Sequence, residues 1–210
     1  MVNILVANPK GGSGKTTIAT NLAGYFSGLG GTVTLHDLDR QKSASRWVER
    51  RPKELPKIHS NNQRNKSHLT DSDWMITDSP AGLREEKLSD AIKHADCVIV
   101  PIQPSAFDIG ATNNFLDILI EEKAIRKNKT FVALVGMRVN SRALSAIALA
   151  KYMEEAHFEV LTYLRNAQVY ITAAEQGVSL FDMRPSLVAQ DVQQWTPLLD
   201  WVANVADNGK

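Results

Sequence analysis

The sequence predicts a doubly wound α/β fold with a mostly parallel sheet flanked by helices, and three observations predict it. Short β-rich runs alternate with helical patterns along most of the chain. Most of these runs are continuously apolar rather than alternating, as strands buried on both faces are. A glycine-rich loop joins the first run to the first helical segment, at the carboxyl end of a strand, where sheets of this class gather their ligands.

The runs Ile4 to Ala7, Val33 to His36, Trp74 to Thr77, Val98 to Ile102, Phe131 to Val135 and Val160 to Leu164 read as strands. Thr16 to Leu29, Gln41 to Arg50, Leu83 to His94, Ile109 to Glu122, Ser141 to Ala156 and Val188 to Ala206 carry helical patterns. Repetition of strand and helix argues for parallel strands with helices on both faces. Residues 51 to 73 depart from this pattern, because Pro52, Pro56, Asn61, Asn62 and several basic residues interrupt any apolar periodicity. A surface excursion containing one short strand is expected there. No internal repeat or long low-complexity tract is present, so a solenoid has no support.

At 210 residues and 43% hydrophobic content, the chain can bury one substantial core, and a single domain over 1–210 is expected. A net charge of +1 excludes a generally basic nucleic-acid coat or an acidic tail. Any polyanion-binding surface must come from local clustering. The one cysteine, Cys97, lies in an apolar run and excludes an internal disulfide framework or a cysteine-built metal site. The start reaches the glycine-rich loop too soon for a signal peptide, and no apolar stretch approaches about 18 residues, so a soluble cytoplasmic protein is expected.

The loop Asn8-Pro9-Lys10-Gly11-Gly12-Ser13-Gly14-Lys15-Thr16-Thr17 follows a strand and opens a helix, the context a phosphate-binding P-loop requires. Its glycines let backbone N–H groups close around phosphate oxygens, and the helix N-terminus adds a favourable field for anions. Residues 11–17 form this cradle. In it Lys15 is expected to reach the β- and γ-phosphates, and the Thr16 hydroxyl to coordinate Mg²⁺.

With Lys10 at its head, the loop resembles the KGGxGK[ST] signature of the ParA/MinD family of deviant Walker A ATPases. The resemblance implies ATP and Mg²⁺ as cofactors and a homodimer that closes around ATP. Lys10 would reach across that dimer to the partner's phosphates, and Gly11 would lie at its crowded seam. Two acidic motifs support it. His36-Asp37-Leu38-Asp39-Arg40-Gln41 resembles the family's DxDPQ segment with Arg40 in the proline position. This implies that Asp39 orients the attacking water and Asp37 supports the Mg²⁺ environment; the change at Arg40 puts the loop geometry, not the carboxylates, in question. Trp74 to Gly82 is an apolar run that ends in Asp78, as a Walker B segment does, so Asp78 would hold Mg²⁺ through water. Each aspartate taken alone reads equally well as a turn former or helix cap. Their placement after successive strands of one sheet favours the ligand role.

Val139-Asn140-Ser141-Arg142 resembles the family's adenine-side Asn-Arg segment, and Asn140 is either a base reader or a helix cap or turn residue. Ser79 and Pro80 stand after Asp78, and no glutamate base of the usual downstream type is visible. Slow hydrolysis, carried by Lys10, Lys15 and Asp39 and timed by a partner, is therefore expected.

Looser matches at Pro101 to Ser105 and Arg165 to Gly177 resemble the short ParA proteins that lack an N-terminal helix-turn-helix domain. That branch implies a nucleoid-associated ATP dimer that binds nonspecific DNA and a ParB-like or other adaptor that stimulates hydrolysis. The cargo would be a plasmid, a chromosome region or a protein microcompartment such as a carboxysome. Arg142, Lys151, Arg165 and Arg184 are candidate DNA contacts, with Lys127 and Lys129 near a loop; a solvated face explains each of them equally well. The dense cluster Arg40, Lys42, Arg46, Arg50, Arg51, Lys53 and Lys57 leaves DNA, a protein partner and solvent open. A MinD-like membrane output would need a basic amphipathic anchor at the C-terminal end. Residues 195–210 carry Asp200, Asp207 and one terminal lysine, which suits a helix packed on the core and leaves no membrane anchor evident. Of metabolic enzymes with this fold, a nitrogenase-type reductase would need paired cluster cysteines. A dethiobiotin-synthetase-like ligase would not need Lys10 together with the two later motifs.

Overall fold

The computed structural model describes residues 1–60, 72–83 and 85–208. Its strands are β1 (Val2–Val6), β2 (Val33–Asp37), β3 (Ile58–Ser60), β4 (Trp74–Asp78), β5 (Cys97–Ile102), β6 (Phe131–Val139) and β7 (Glu159–Arg165). They form a seven-stranded sheet in the order β3-β2-β4-β1-β5-β6-β7. Every pairing is parallel, so the expected "mostly parallel" sheet is parallel throughout. β3 is the short strand expected within the proline-rich excursion; residues 61–71 of that excursion lie outside the described residues.

The helices are α1 (Lys15–Gly28), α2 (Ser43–Arg50), α3 (Glu85–Lys93), α4 (Ala106–Glu121), α5 (Lys123–Arg126), α6 (Leu144–Glu154), α7 (Gln168–Gln176) and α8 (Pro185–Asn208). One sheet face carries Ile4, Val6, Leu35, Ile76 and Ile99 against Leu22 and Phe26 of α1, Trp47 of α2 and Trp195 and Val202 of α8. The other carries Leu5, Val98, Val100 and Leu134 against Leu88 of α3, Leu116 and Leu119 of α4 and Leu149 of α6. β5 is buried at every position, which explains its unbroken apolar sequence.

Several boundaries move for local reasons. α4 starts at Ala106, three residues earlier than its apolar pattern, because Ser105 caps it by accepting the Asp108 N–H. α6 starts at Leu144 because Asn140 and Arg142 form a turn first. α7 is an additional helix that buries one residue, Ala173, and so carries almost no apolar stripe to announce it. α8 places Val188, Trp195, Leu198, Val202 and Val205 in the core, as expected of a packed C-terminal helix. No helix among the described residues is long and apolar enough to cross a membrane.

Candidate functional site

Strand order creates the site. β1 lies between β4 and β5; the chain builds β2, β3 and β4 on one side of it and then crosses from β4 to β5, β6 and β7 on the other, so the carboxyl end of β1 is the switch point of the sheet. Val6 is in register with Asp78, and Asp78 with Asp37. The loop after β1 therefore shares one rim with both acidic segments.

The loop takes the backbone shape that its glycines permit. Gly12 and Gly14 have φ of 79° and 106°, which L side chains rarely adopt. A Cβ at Gly14 would also stand 2.7 Å from the Met137 methyl carbon. No side chain caps α1, so its first N–H groups stay available to an anion. Lys15 is buried, and its ammonium donates to the Lys10 carbonyl at 2.9 Å. Burial lowers its pKa, and the charges of Asp78 and Asp39 oppose that shift. Lys10 is half-buried, and Gly11 is exposed with a φ outside the left-handed region. A Cβ at Gly11 would make ordinary contact with Ala81 at 3.9 Å, so nothing among the described residues demands glycine there.

The acidic groups divide the work unequally. Asp78 is 1% exposed, and one of its oxygens accepts the Thr16 hydroxyl at 2.7 Å. Its other oxygen, Oδ1, is buried without a hydrogen-bond partner among the described residues. Burial pushes the Asp78 carboxyl up to about 7; the Thr16 hydroxyl and Lys15 oppose this, while Asp37 and Asp39 reinforce it. A buried oxygen with no donor, beside a hydroxyl, fits a hard cation that takes oxygen ligands. Mg²⁺ therefore fits Thr16 and Asp78.

Asp37 is fully buried, and its two oxygens accept the N–H groups of Asp39 at 3.0 Å and of Ser45 at 2.8 Å. It shapes the turn that carries Asp39 and holds the start of α2. Lys42 has a left-handed φ of 54° and donates to the Asp37 carbonyl at 2.8 Å. Asp39 is half-buried and accepts the Gln41 N–H at 2.8 Å.

On the other side of the loop is a pocket of about 690 Å³ lined by Thr17, Met137, Arg138, Arg165, Asn166 and Tyr170, among others. Asn140 does not line it. Its side chain is exposed and accepts the Arg142 N–H at 3.3 Å, which is the turn reading of that residue. β6 extends to Val139 with a register shift, and Arg138 takes a φ of 51° at the pocket rim. Sequence patterning identified none of Met137, Arg138 or Asn166 as site residues, because the irregularity that turns them there is a tertiary feature. Asn166 nevertheless stands in the Arg165 to Gly177 stretch that carried the family likeness.

The basic candidates also separate. Arg142 and Arg184 are exposed. Lys151 lies 4.0 Å from Glu155 with both side chains mostly in solvent. Arg165 donates twice to Asp191, at 2.7 Å each, and Asp191 is fully buried. Its charge is committed to that carboxylate. In the cluster around α2, Arg51 pairs with Asp182, Arg50 donates to the Ala174 carbonyl and Lys42 to Asp37, leaving Arg40, Arg46, Lys53 and Lys57 exposed.

Fold and loop together define a P-loop nucleotide-binding protein in which Asp78 stands in register with Val6, the last residue of the strand that leads into the loop. Residues 4–181 match the CobQ/CobB/MinD/ParA nucleotide-binding domain, and the chain belongs to that family. It is 30% identical over 203 residues to maintenance of carboxysome distribution protein A of Halothiobacillus neapolitanus, covering 91% of this chain and 93% of that protein. Apo McdA from Cyanothece has the same fold, with a TM-score of 0.74, 17% identity and coverage of 98% of this chain and 99% of that one. The MinD cell division protein of Aquifex aeolicus is also similar, with a TM-score of 0.70, 15% identity and coverage of 99% and 96%.

Proposed function

We propose that this chain is a Mg²⁺-dependent ATPase of the McdA and ParA type, which closes as a homodimer around ATP, binds DNA without sequence preference and positions an intracellular cargo. The relatives' names favour a carboxysome as cargo. In this reading an adaptor protein stimulates hydrolysis. The protein would then work in the cytoplasm on the nucleoid. Lys10 carries this reading. It is a half-exposed cation at the mouth of a phosphate loop, whose own phosphate-facing lysine, Lys15, is already present and buried. A second lysine there suits the phosphates of another subunit, and the exposed Gly11, with no side chain of its own, suits a neighbour that approaches closely.

In this reading the loop N–H groups and Lys15 hold the triphosphate, while Thr16 and Asp78 hold the cation. Held by Thr16 and Asp78, Mg²⁺ would supply neutralisation of charge on the phosphate oxygens. Asp39 orients the attacking water, and Asp37 and Lys42 fix the loop that carries it. Lys10 from the second subunit stabilises the charge that develops in the transition state. The nucleoside end lies in the pocket of Thr17, Met137, Arg138 and Asn166, with Asn140 at most at its margin. Arg142, Lys151 and Arg184 remain the candidate DNA contacts. Closing a dimer doubles any such patch, which steepens the salt dependence of binding.

Lys10→Ala is the direct test. It is expected to keep nucleotide affinity within a few-fold and to lose the ATP-dependent dimer measured by light scattering, with turnover falling about 100-fold or more. An unchanged dimer would refute the trans role. For DNA, affinity is expected with ATP and not with ADP, and to fall at least tenfold between roughly 50 and 200 mM salt. Binding to anionic vesicles and not to DNA would favour a MinD-like output instead.

A further inference from the structure

The geometry points to Asn8 as the positioning residue for Lys10: it fixes the lysine's peptide group and ties it to β5 and α4. The inference rests on the trans role proposed for Lys10. Asn8 is 2% exposed and stands two residues beyond the end of β1. Its Oδ1 accepts the Lys10 N–H at 2.8 Å. Its Nδ2 donates to the Pro101 carbonyl at 2.8 Å and to the Thr112 hydroxyl at 3.2 Å. The amide can take one orientation, because a flip would set its NH₂ against the Lys10 N–H and its oxygen against the Pro101 carbonyl.

The network continues on both sides. Thr112 is fully buried and donates to the Asp108 carbonyl at 2.7 Å, which ties Asn8 into the first turns of α4. Gln103, in the loop between β5 and α4, donates to the Gly12 carbonyl. The Lys10 carbonyl accepts from Lys15. Both polar groups of the Lys10 peptide are therefore engaged, its N–H by Asn8 and its C=O by Lys15.

This arrangement bears on what Lys10 must do. A long side chain that crosses to another subunit reaches one place in space only when its own backbone is fixed, and a displacement of about 1 Å can cost roughly 100-fold in rate. Asn8 takes no part in the cradle formed by residues 11–17. Loosening it moves the root of Lys10 while the phosphate-binding N–H groups keep their glycine-built shape.

A double-mutant cycle tests the assignment. Asn8→Ala is expected to leave MgADP affinity within about threefold, while ATP turnover and ATP-dependent dimerisation fall roughly 10- to 100-fold. In a Lys10→Ala background the same substitution is expected to have no further effect on turnover, because the lysine it positions is gone. If Asn8→Ala lowers turnover by the same factor in both backgrounds, or weakens MgADP as much as it slows turnover, Asn8 is structural and the inference fails. If Lys10→Ala alone turns over like the parent protein, the trans reading fails first. Should Asn8→Ala not fold, Thr112→Val removes one of the amide's acceptors without opening a cavity. The same non-additivity with Lys10→Ala is required of it, and an additive loss overturns the inference.

Discussion

Replacing Arg51 with alanine is expected to destabilise the protein by about 3–5 kcal/mol, the usual cost of leaving a buried charge without its partner. The Arg51 and Asp182 side chains are 4% and 5% exposed and meet through two hydrogen bonds of 2.8 and 3.0 Å. The guanidinium also lies 5.5 Å from the Trp47 ring centroid and donates to the Pro56 carbonyl at 2.9 Å. Asp182 in turn accepts the Ser179 N–H and hydroxyl at 2.8 and 2.6 Å. The Ser179–Asp182 segment is pressed against α1, where Asn21 accepts the Leu180 N–H at 2.8 Å and a Cβ on Gly24 would collide with Ser179. Loss of Arg51 thus loosens the joint between α1, which carries the loop, and α2, which follows the Asp39 turn.

Acid dependence checks the cause. Burial alone would raise Asp182, but hydrogen bonds from Arg51 and Ser179 outweigh it and hold the carboxyl below its ordinary value. In the parent protein this stabilisation is fully present above the unfolded carboxylate's pKa near ~3.9 and is lost as pH falls through the lower folded value. In the variant the burial remains without the counter-charge, so the carboxyl takes up its proton at a higher pH. Urea unfolding should show the deficit at pH 7 and a narrowing of it toward pH 4. A deficit under about 1 kcal/mol at pH 7, in the range of an exposed pair, would contradict the assignment.

Asp78→Asn is expected to stabilise the metal-free protein while it removes Mg²⁺-dependent activity. The carboxyl is buried, has one oxygen without a donor among the described residues and is pushed up to about 7. Its folded pKa stands above its unfolded value, so the folded state retains a proton that the unfolded state has released. Stability therefore declines as pH rises from about 4 to 7 and is level above. Asparagine keeps an acceptor for the Thr16 hydroxyl and removes the charge. At pH 8 in a chelator, a gain of about 1–3 kcal/mol is expected, fading toward pH 4. Addition of Mg²⁺ to the ATP-bound proteins should reverse the ranking, since the bound cation stabilises the parent and not the variant. Thermal melts at two pH values, with and without Mg²⁺ and ATP, measure this. An Asp78→Asn protein that still gains stability from Mg²⁺ with ATP would show that the cation is held elsewhere.

Much of the fold was legible because its signals are local. β5 reads as a strand since every residue in it is buried, and the loop at 8–17 reads as a phosphate loop since glycine spacing and the following helix serve one backbone shape. α7 was not legible, because a helix that buries little has no apolar period. Asp37 illustrates the limit for single residues. Its place after a strand was visible, but its use as the anchor of Asp39 and Ser45 depends on how α2 folds back. Arg51 and Arg165 looked like their basic neighbours and are distinguished by Asp182 and Asp191, both far away in sequence.

The sequence by itself determined the family, the nucleotide loop with its extra lysine, and the carboxylates at the ends of β2 and β4, because each is encoded by spacing over a few residues. Tertiary structure decided which oxygen of Asp78 stays without a donor, which arginines are neutralised within the chain, and that Met137, Arg138 and Asn166, rather than Asn140, line the pocket beside the loop. These depend on long-range pairing and on a register shift in β6, where the energy of burying a charge or turning a strand is settled by residues that no local pattern connects.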